Sequence, residues 1–215
     1  MKKILCFGDS NTFGYIPESA KRYDENTRWT ALLNKKLGSN YTVIEGGYNN
    51  RNGFTDSIDG EFFTGYKILP QYLKDNIDID IVILWIGIND IQKFYNPTFD
   101  DIRTGLDSMI KTLKLSVNDI IVVSPPEISE NILKGHFSYQ FDETSVEKFK
   151  HLPELYKDVS DKNNVHFINI NQYIKVSEFD GLHYSKESHS IIADILYKYI
   201  KTIFAEQLNY EISSN

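Results

Sequence analysis

Four short stretches of the chain hold residues able to do chemistry. The first is Phe7-Gly8-Asp9-Ser10-Asn11-Thr12-Phe13-Gly14, in which a serine follows an apolar run and sits between two glycines. Where a strand turns sharply into a helix, the Ser10 hydroxyl points into a cleft. Its backbone N–H is then one of the unpaired donors of a helix N-terminus. On this stretch alone, a plain N-cap or turn serine is an equally good account. It is not a phosphate-binding loop, because no Gly-Lys-Ser/Thr follows.

The second stretch is Glu45-Gly46-Gly47-Tyr48-Asn49. A glycine here can bring a backbone N–H close to a ligand with no side chain intervening; a simple loop is the competing account. The third, Ile86-Gly87-Ile88-Asn89-Asp90, offers the Asn89 amide at a strand end, where an Asx turn would equally explain Asn and Asp. The fourth is Asp180-Gly181-Leu182-His183. Residues three apart on a turn can share one side. A carboxylate can then accept a hydrogen bond from the imidazole, fix its tautomer and leave the other ring nitrogen free as a base. Of the five histidines, only His183 has a carboxylate three residues before it. His166 falls in a strand and His189 in the last helix, where packing or surface roles explain them. His151 has no partner pattern, and His136 sits in a long loop where it can line a cleft.

Together the four stretches specify a set of parts for nucleophilic acyl transfer. Ser10 is the candidate nucleophile, His183 the base and Asp180 its orienting group. Ser10 N–H, Gly47 N–H and the Asn89 amide are the candidate oxyanion donors. Other machinery is missing: there is no His-Glu-x-x-His for a zinc hydrolase and no Gly-x-Gly-x-x-Gly after a strand for a dinucleotide.

These parts need a frame. Apolar runs rich in Ile and Val occur at 4–7, 41–44, 81–86, 120–123 and 165–170. Most show no polar alternation, as expected of strands covered on both faces of a parallel sheet. Helical spacing falls between them at 30–37, 66–76, 99–115, 145–162 and 186–208. In the last of these Ile191, Ile192, Ile195, Leu196, Tyr199 and Ile203 share a face. Alternating strands and helices argue for an α/β layered domain. One domain is expected over 1–208, with a polar tail over 209–215. Two long loops, 46–65 and 125–144, leave the carboxyl ends of strands, which is where sites form in open parallel sheets.

The composition agrees. The 215 residues are 41% hydrophobic and 25% charged, with a net charge of −7, so the chain is globular and unsuited to general nucleic-acid binding. One cysteine, Cys6, excludes an intrachain disulfide or multi-cysteine zinc site. The apolar run after Met1-Lys2-Lys3 is too short for a signal segment, and no stretch is long enough to span a membrane. A cytoplasmic protein is the expectation.

On these four blocks the sequence resembles the SGNH hydrolases, the GDSL esterase/lipase family. Ser10, Gly47, Asn89 and His183 match the residues that give the family its name, in order, across nearly the whole domain. Arg28-Trp29-Thr30, Val123-Ser124-Pro125-Pro126 and Asp180-Gly181-Leu182-His183-Tyr184 are similar to the bacterial arylesterase and acyltransferase branch. The resemblance implies a flavodoxin-like three-layer α/β/α sandwich with a five-stranded parallel sheet in the order 2-1-3-4-5. It also implies the roles above for Ser10, Gly47, Asn89, Asp180 and His183. Two positions depart from the family pattern: Asn11 stands where a leucine is usual, and Gly46 where a polar residue is usual. The first implies a more polar pocket.

The expected activity is hydrolysis of short-chain carboxylic esters by a Ser-His-Asp acyl-enzyme route that needs no metal or organic cofactor. Transfer of the acyl group to another alcohol is left open. A carbohydrate O-deacetylase of the same chemistry and a non-catalytic binding module are the alternatives. The expected partner is a small ester, with Asn11, Trp29 and Phe137 as candidate pocket residues. Phe13, Phe54, Phe62, Phe63, Phe94, Tyr95 and Tyr139 are further aromatics near the loops. A homo-oligomer is left open, with the 125–144 loop as interface or lid.

Overall fold

A computed structural model describes residues 1–213, with side chains through Ile203. Five strands form one parallel sheet: β1 Lys2–Gly8, β2 Tyr41–Gly47, β3 Ile81–Trp85, β4 Asp119–Val123 and β5 His166–Ile168. Their order is β2-β1-β3-β4-β5, with Gly8 opposite Gly47 on one side and Trp85 on the other. The expected sheet is therefore present. The run expected to continue the fifth strand to residue 170 instead becomes a 3₁₀ turn, Ile170–Gln172.

Six α-helices complete the layers: α1 Ser10–Phe13, α2 Trp29–Leu37, α3 Gly65–Asp75, α4 Phe99–Leu113, α5 Glu143–Lys162 and α6 Lys186–Ser213. Successive side chains of a strand point to opposite faces, and β1 shows the consequence. Leu5 and Phe7 join the core under α3, α4 and α5. Ile4 and Cys6 join the core under α2 and α6. Both cores are closed, which is why the central strands read as unbroken apolar runs. Burying each large side chain contributes about 1.5–3 kcal/mol.

The helix starts are fixed locally. Thr98 and Asp101 form a reciprocal capping box at α4, and Asp142 and Ser145 do the same at α5. Ser145 Oγ also donates to the Ile91 carbonyl at 2.9 Å, tying α5 to the turn that leaves β3. The helix α6 runs past residue 208, into the segment expected as a polar tail; residues 214 and 215 lie outside the described ones. Among the described residues no helix is long and apolar enough to cross a membrane.

Candidate active site

The first part of the site is set by close packing at the end of β1. A Cβ on Gly8 would lie 2.1 Å from Thr12 Oγ1 and 2.3 Å from the Trp85 carbonyl, so only glycine lets α1 begin there. The Asp9 carboxylate caps α1 by accepting the Asn11 N–H at 3.0 Å, and Gly14 ends it in the left-handed region at φ 87°. Ser10 is thus the first residue of a one-turn helix and is 6% exposed. Burial pushes the Asp9 carboxyl up to about 7. The Asn11 N–H and Arg51 oppose the rise, and the charge of Asp90 adds to it.

The second part is a single tight turn. Gly181 sits at φ 72°, and Asp180 Oδ1 accepts the N–H groups of Leu182 at 2.9 Å and His183 at 3.0 Å. The turn brings Asp180 Oδ2 to 2.7 Å from His183 Nδ1, and His183 Nε2 lies 2.9 Å from Ser10 Oγ. An ionised carboxylate only accepts, so Nδ1 carries the proton and the lone pair of Nε2 faces the Ser10 hydroxyl. Burial alone would push the Asp180 carboxyl up. The hydrogen bond and charge of His183, with the two backbone N–H groups, outweigh it and hold the group below the usual carboxylate range. Tyr15 stacks on the imidazole at 4.1 Å between ring centroids, and Phe137 meets it edge-on at 5.3 Å.

The third part lies beyond β2 and β3. Asn89 Nδ2 donates to the Arg51 carbonyl at 2.9 Å, and Asn89 Oδ1 accepts from Gln92 Nε2 at 3.1 Å. The orientation of the amide is therefore set, and one N–H remains for the cleft. Gln92 Nε2 also reaches Asn50 Oδ1 at 3.3 Å. Asn50 has φ 57°, and its own N–H makes no hydrogen bond within the described residues. Asp90 pins the following loop by accepting the N–H groups of Gly53, Phe54 and Thr55 at 2.6, 2.9 and 2.7 Å.

These parts open into one pocket of ≈ 190 Å³. Ser10, Asn89, Leu182 and His183 line it together with Tyr15, Asn49, Asn50, Phe137, Tyr139 and Gln140. A groove of ≈ 750 Å³ between α5, β5 and α6 is larger, but it is lined by residues such as Pro153, Lys157, Phe167 and Tyr173 and holds none of the Ser10, His183 and Asp180 set. Among the described residues no group of three His, Cys, Asp or Glu side chains is placed to hold a metal ion.

The profile of the GDSL-like lipase/acylhydrolase family matches residues 4–196, which include every part of this pocket. The chain belongs to that family. It is accordingly a carboxylic ester hydrolase. An isoamyl acetate-hydrolysing esterase of Saccharomyces cerevisiae is 23% identical, over 95% of this chain and 88% of its own length. Two solved structures are each 26% identical over 94% of this chain. The native aryl esterase of M. smegmatis has a TM-score of 0.88 and 99% coverage. The carbohydrate acetylesterase Est24 of Sinorhizobium meliloti has a TM-score of 0.86 and 100% coverage.

In this GDSL-type acylhydrolase, Ser10, Asn89, Asp180 and His183 come together, but three expected positions do not. Gly47 does not reach the pocket. A Cβ there would lie 2.3 Å from the Phe13 N atom, so the glycine admits the α1 backbone, and the pocket wall is Asn49 and Asn50. Asn11 is corrected as a pocket residue: it is 1% exposed and turned inward, with Nδ2 3.4 Å from the Leu182 carbonyl. Trp29 is corrected likewise. It is fully buried against Trp85, and its indole N–H donates to the Asn11 carbonyl at 3.0 Å. Phe137 and Tyr139 do line the pocket; Phe13, Phe54, Phe62, Phe63, Phe94, Tyr95 and His136 do not. The 125–144 loop packs Ile128, Ile132 and Phe141 into the core and supplies one wall. Tyr15, Asn50 and Gln92 went unread in the sequence. The one available signal was the run Asn49-Asn50-Arg51-Asn52-Gly53, rich in residues that tolerate left-handed backbone.

Proposed function

We propose that the protein hydrolyses short-chain carboxylic esters through an acyl-enzyme on Ser10. The observation that carries this reading is the continuous chain Ser10 Oγ to His183 Nε2 at 2.9 Å and His183 Nδ1 to Asp180 Oδ2 at 2.7 Å. His183 takes the hydroxyl proton as Oγ attacks the ester carbonyl, and Asp180 stabilises the imidazolium that forms. Ser10 N–H, Asn50 N–H and the Asn89 amide receive the oxyanion, with Asn50 in the place expected of Gly47. Each donor is worth about 2.7–4 kcal/mol in the transition state. His183 returns the proton to the leaving alcohol, and water repeats the sequence on the acyl-enzyme. The volume of ≈ 190 Å³ favours a short acyl group, since drug-sized ligands occupy roughly 300–1,000 Å³.

Ser10→Ala should abolish cleavage of p-nitrophenyl acetate and labelling by a fluorophosphonate. Full activity in that variant rejects Ser10 as nucleophile.

A second reading, removal of acetyl groups from carbohydrates, is favoured by the polar wall. Asn49, Asn50 and Gln140 beside Tyr139 can offer carboxamides and a ring to a sugar hydroxyl face, and the similar Est24 is a carbohydrate acetylesterase. Acetate release from acetylated sugars, set beside aryl acetates, distinguishes the two.

A further inference from the structure

The proposed mechanism uses the main chain around residue 51 but leaves its side chain unexplained. Arg51 is fully buried. Among the described residues it makes no ion pair with a carboxylate, and its Nε has no partner. The guanidinium carbon lies 4.9 Å from the ring centre of Phe7, 5.4 Å from Tyr72 and 5.5 Å from Tyr48. Nη1 donates to two carbonyls, Gly8 at 3.1 Å and Gly46 at 2.5 Å, and Nη2 to Tyr72 Oη at 3.4 Å. Burying a cation this way is costly, and surface packing would not require it.

The positions of the two carbonyls are informative. Gly8 is the last residue of β1, two before Ser10, and Gly46 lies near the end of β2, four before Asn50. The carbonyl of Arg51 itself holds the Asn89 amide. Two of the three proposed oxyanion donors, Ser10 N–H and the Asn89 amide, therefore lie close to an atom in contact with Arg51, and the third, Asn50 N–H, belongs to the residue before it. We propose that Arg51 is the positioning residue of the oxyanion pocket, its guanidinium Nη1 fixing the ends of β1 and β2 and its carbonyl the amide from β3. The guanidinium holds both carbonyls through Nη1 while Nη2 reaches Tyr72 Oη; a lysine ammonium has no second nitrogen to anchor it in this way.

This inference rests on the serine mechanism, so Ser10→Ala is the control. The test uses the full chain as Arg51→Met and Arg51→Lys, with rates given per folded molecule from circular dichroism. For Arg51→Met, kcat on p-nitrophenyl acetate should fall about 100-fold while KM stays close to the wild-type value. Inhibition by an alkyl boronic acid, whose serine adduct is tetrahedral and anionic, should weaken in parallel. Arg51→Lys, which keeps the charge without the second nitrogen, should show an intermediate loss of both. A merely structural residue would lower the melting temperature and leave boronic acid affinity per folded molecule unchanged; that result overturns the proposal. So does loss of fold in both variants, because Arg51 would then serve the core. An inactive Ser10→Ala beside a fully active Arg51→Met rejects the role of Arg51 alone. An active Ser10→Ala rejects the serine mechanism itself.

Discussion

The two halves of the pocket are built in different ways. In the acid–base half, Asp180 and His183 share one turn, and their 2.7 Å contact is held by two backbone hydrogen bonds inside that turn. Only Ser10 arrives from elsewhere. In the proposed oxyanion half each donor comes from a different strand end. Ser10 follows β1, Asn50 follows β2 and Asn89 follows β3, and their spacing depends on contacts such as Arg51 to Gly8 and Gln92 to Asn50. The first half is held by the covalent chain and the second by packing. Damage to the first should remove the chemistry in one step, whereas damage to the second should be graded and shared among several residues.

The sharpest way to break this contrast is Asp180→Asn. The amide is nearly the shape of the carboxylate but can present an N–H to the imidazole. His183 would then carry its proton on Nε2, where it cannot accept from Ser10. A fall in kcat of about 10⁴-fold on p-nitrophenyl acetate is expected. A loss of less than about tenfold would mean that the orientation of His183 is set by its ring contacts with Tyr15 and Phe137 instead.

The same division explains what could be read in the sequence. Asp180 and His183 were legible because three residues of spacing already fix their geometry. The sheet was legible because β1 and β3 are covered on both faces, which leaves unbroken runs such as Ile81 to Leu84. Gly47 was misread because a glycine admits either a ligand or a neighbouring backbone, and here the neighbour is α1, near in space and distant in sequence. Asn11 was misread for a helical reason. Neighbours on a helix point about 100° apart, so a Ser10 that faces the cleft turns Asn11 into the protein. Arg51 carries no local mark at all, because its partners are carbonyls and rings that only the folded sheet brings together.

For the oxyanion half the direct test is Asn89→Ala. It removes one donor and frees the Arg51 carbonyl, and kcat should fall about 10²–10³-fold with little change in KM. This is smaller than the expected effect at Asp180, as a shared task requires. An equal loss at the two positions would contradict the graded character assigned to this half.

The smallest effect concerns the support behind the acid–base half. His189 on α6 is 1% exposed, and its Nδ1 accepts the Trp29 N–H at 3.2 Å. Trp29 in turn donates to the Asn11 carbonyl beside Ser10. Burial, aided by the charge of His183, lowers the His189 pKa to about 4, against an ordinary histidine value of about 6.5. The unfolded chain therefore binds this proton first. The stability contributed by neutral His189 is complete above about pH 6.5 and is lost as pH falls towards 4, by up to about 3 kcal/mol. Asp9 works in the opposite direction, because its raised pKa makes the folded state the better proton binder between the ordinary carboxylate range and about pH 7. The wild-type slope alone thus mixes the two groups, and a variant compared with wild type at each pH separates them. In His189→Asn a carboxamide oxygen can still accept the Trp29 N–H but does not titrate. Urea unfolding from pH 7 to pH 4 should show the variant losing less stability than wild type. The pH profile of activity should be the same in both, since the variant leaves the proposed Ser10, His183 and Asp180 contacts in place. Parallel stability curves would remove His189 from this support, and an activity profile that shifted with the variant would tie it to the base itself.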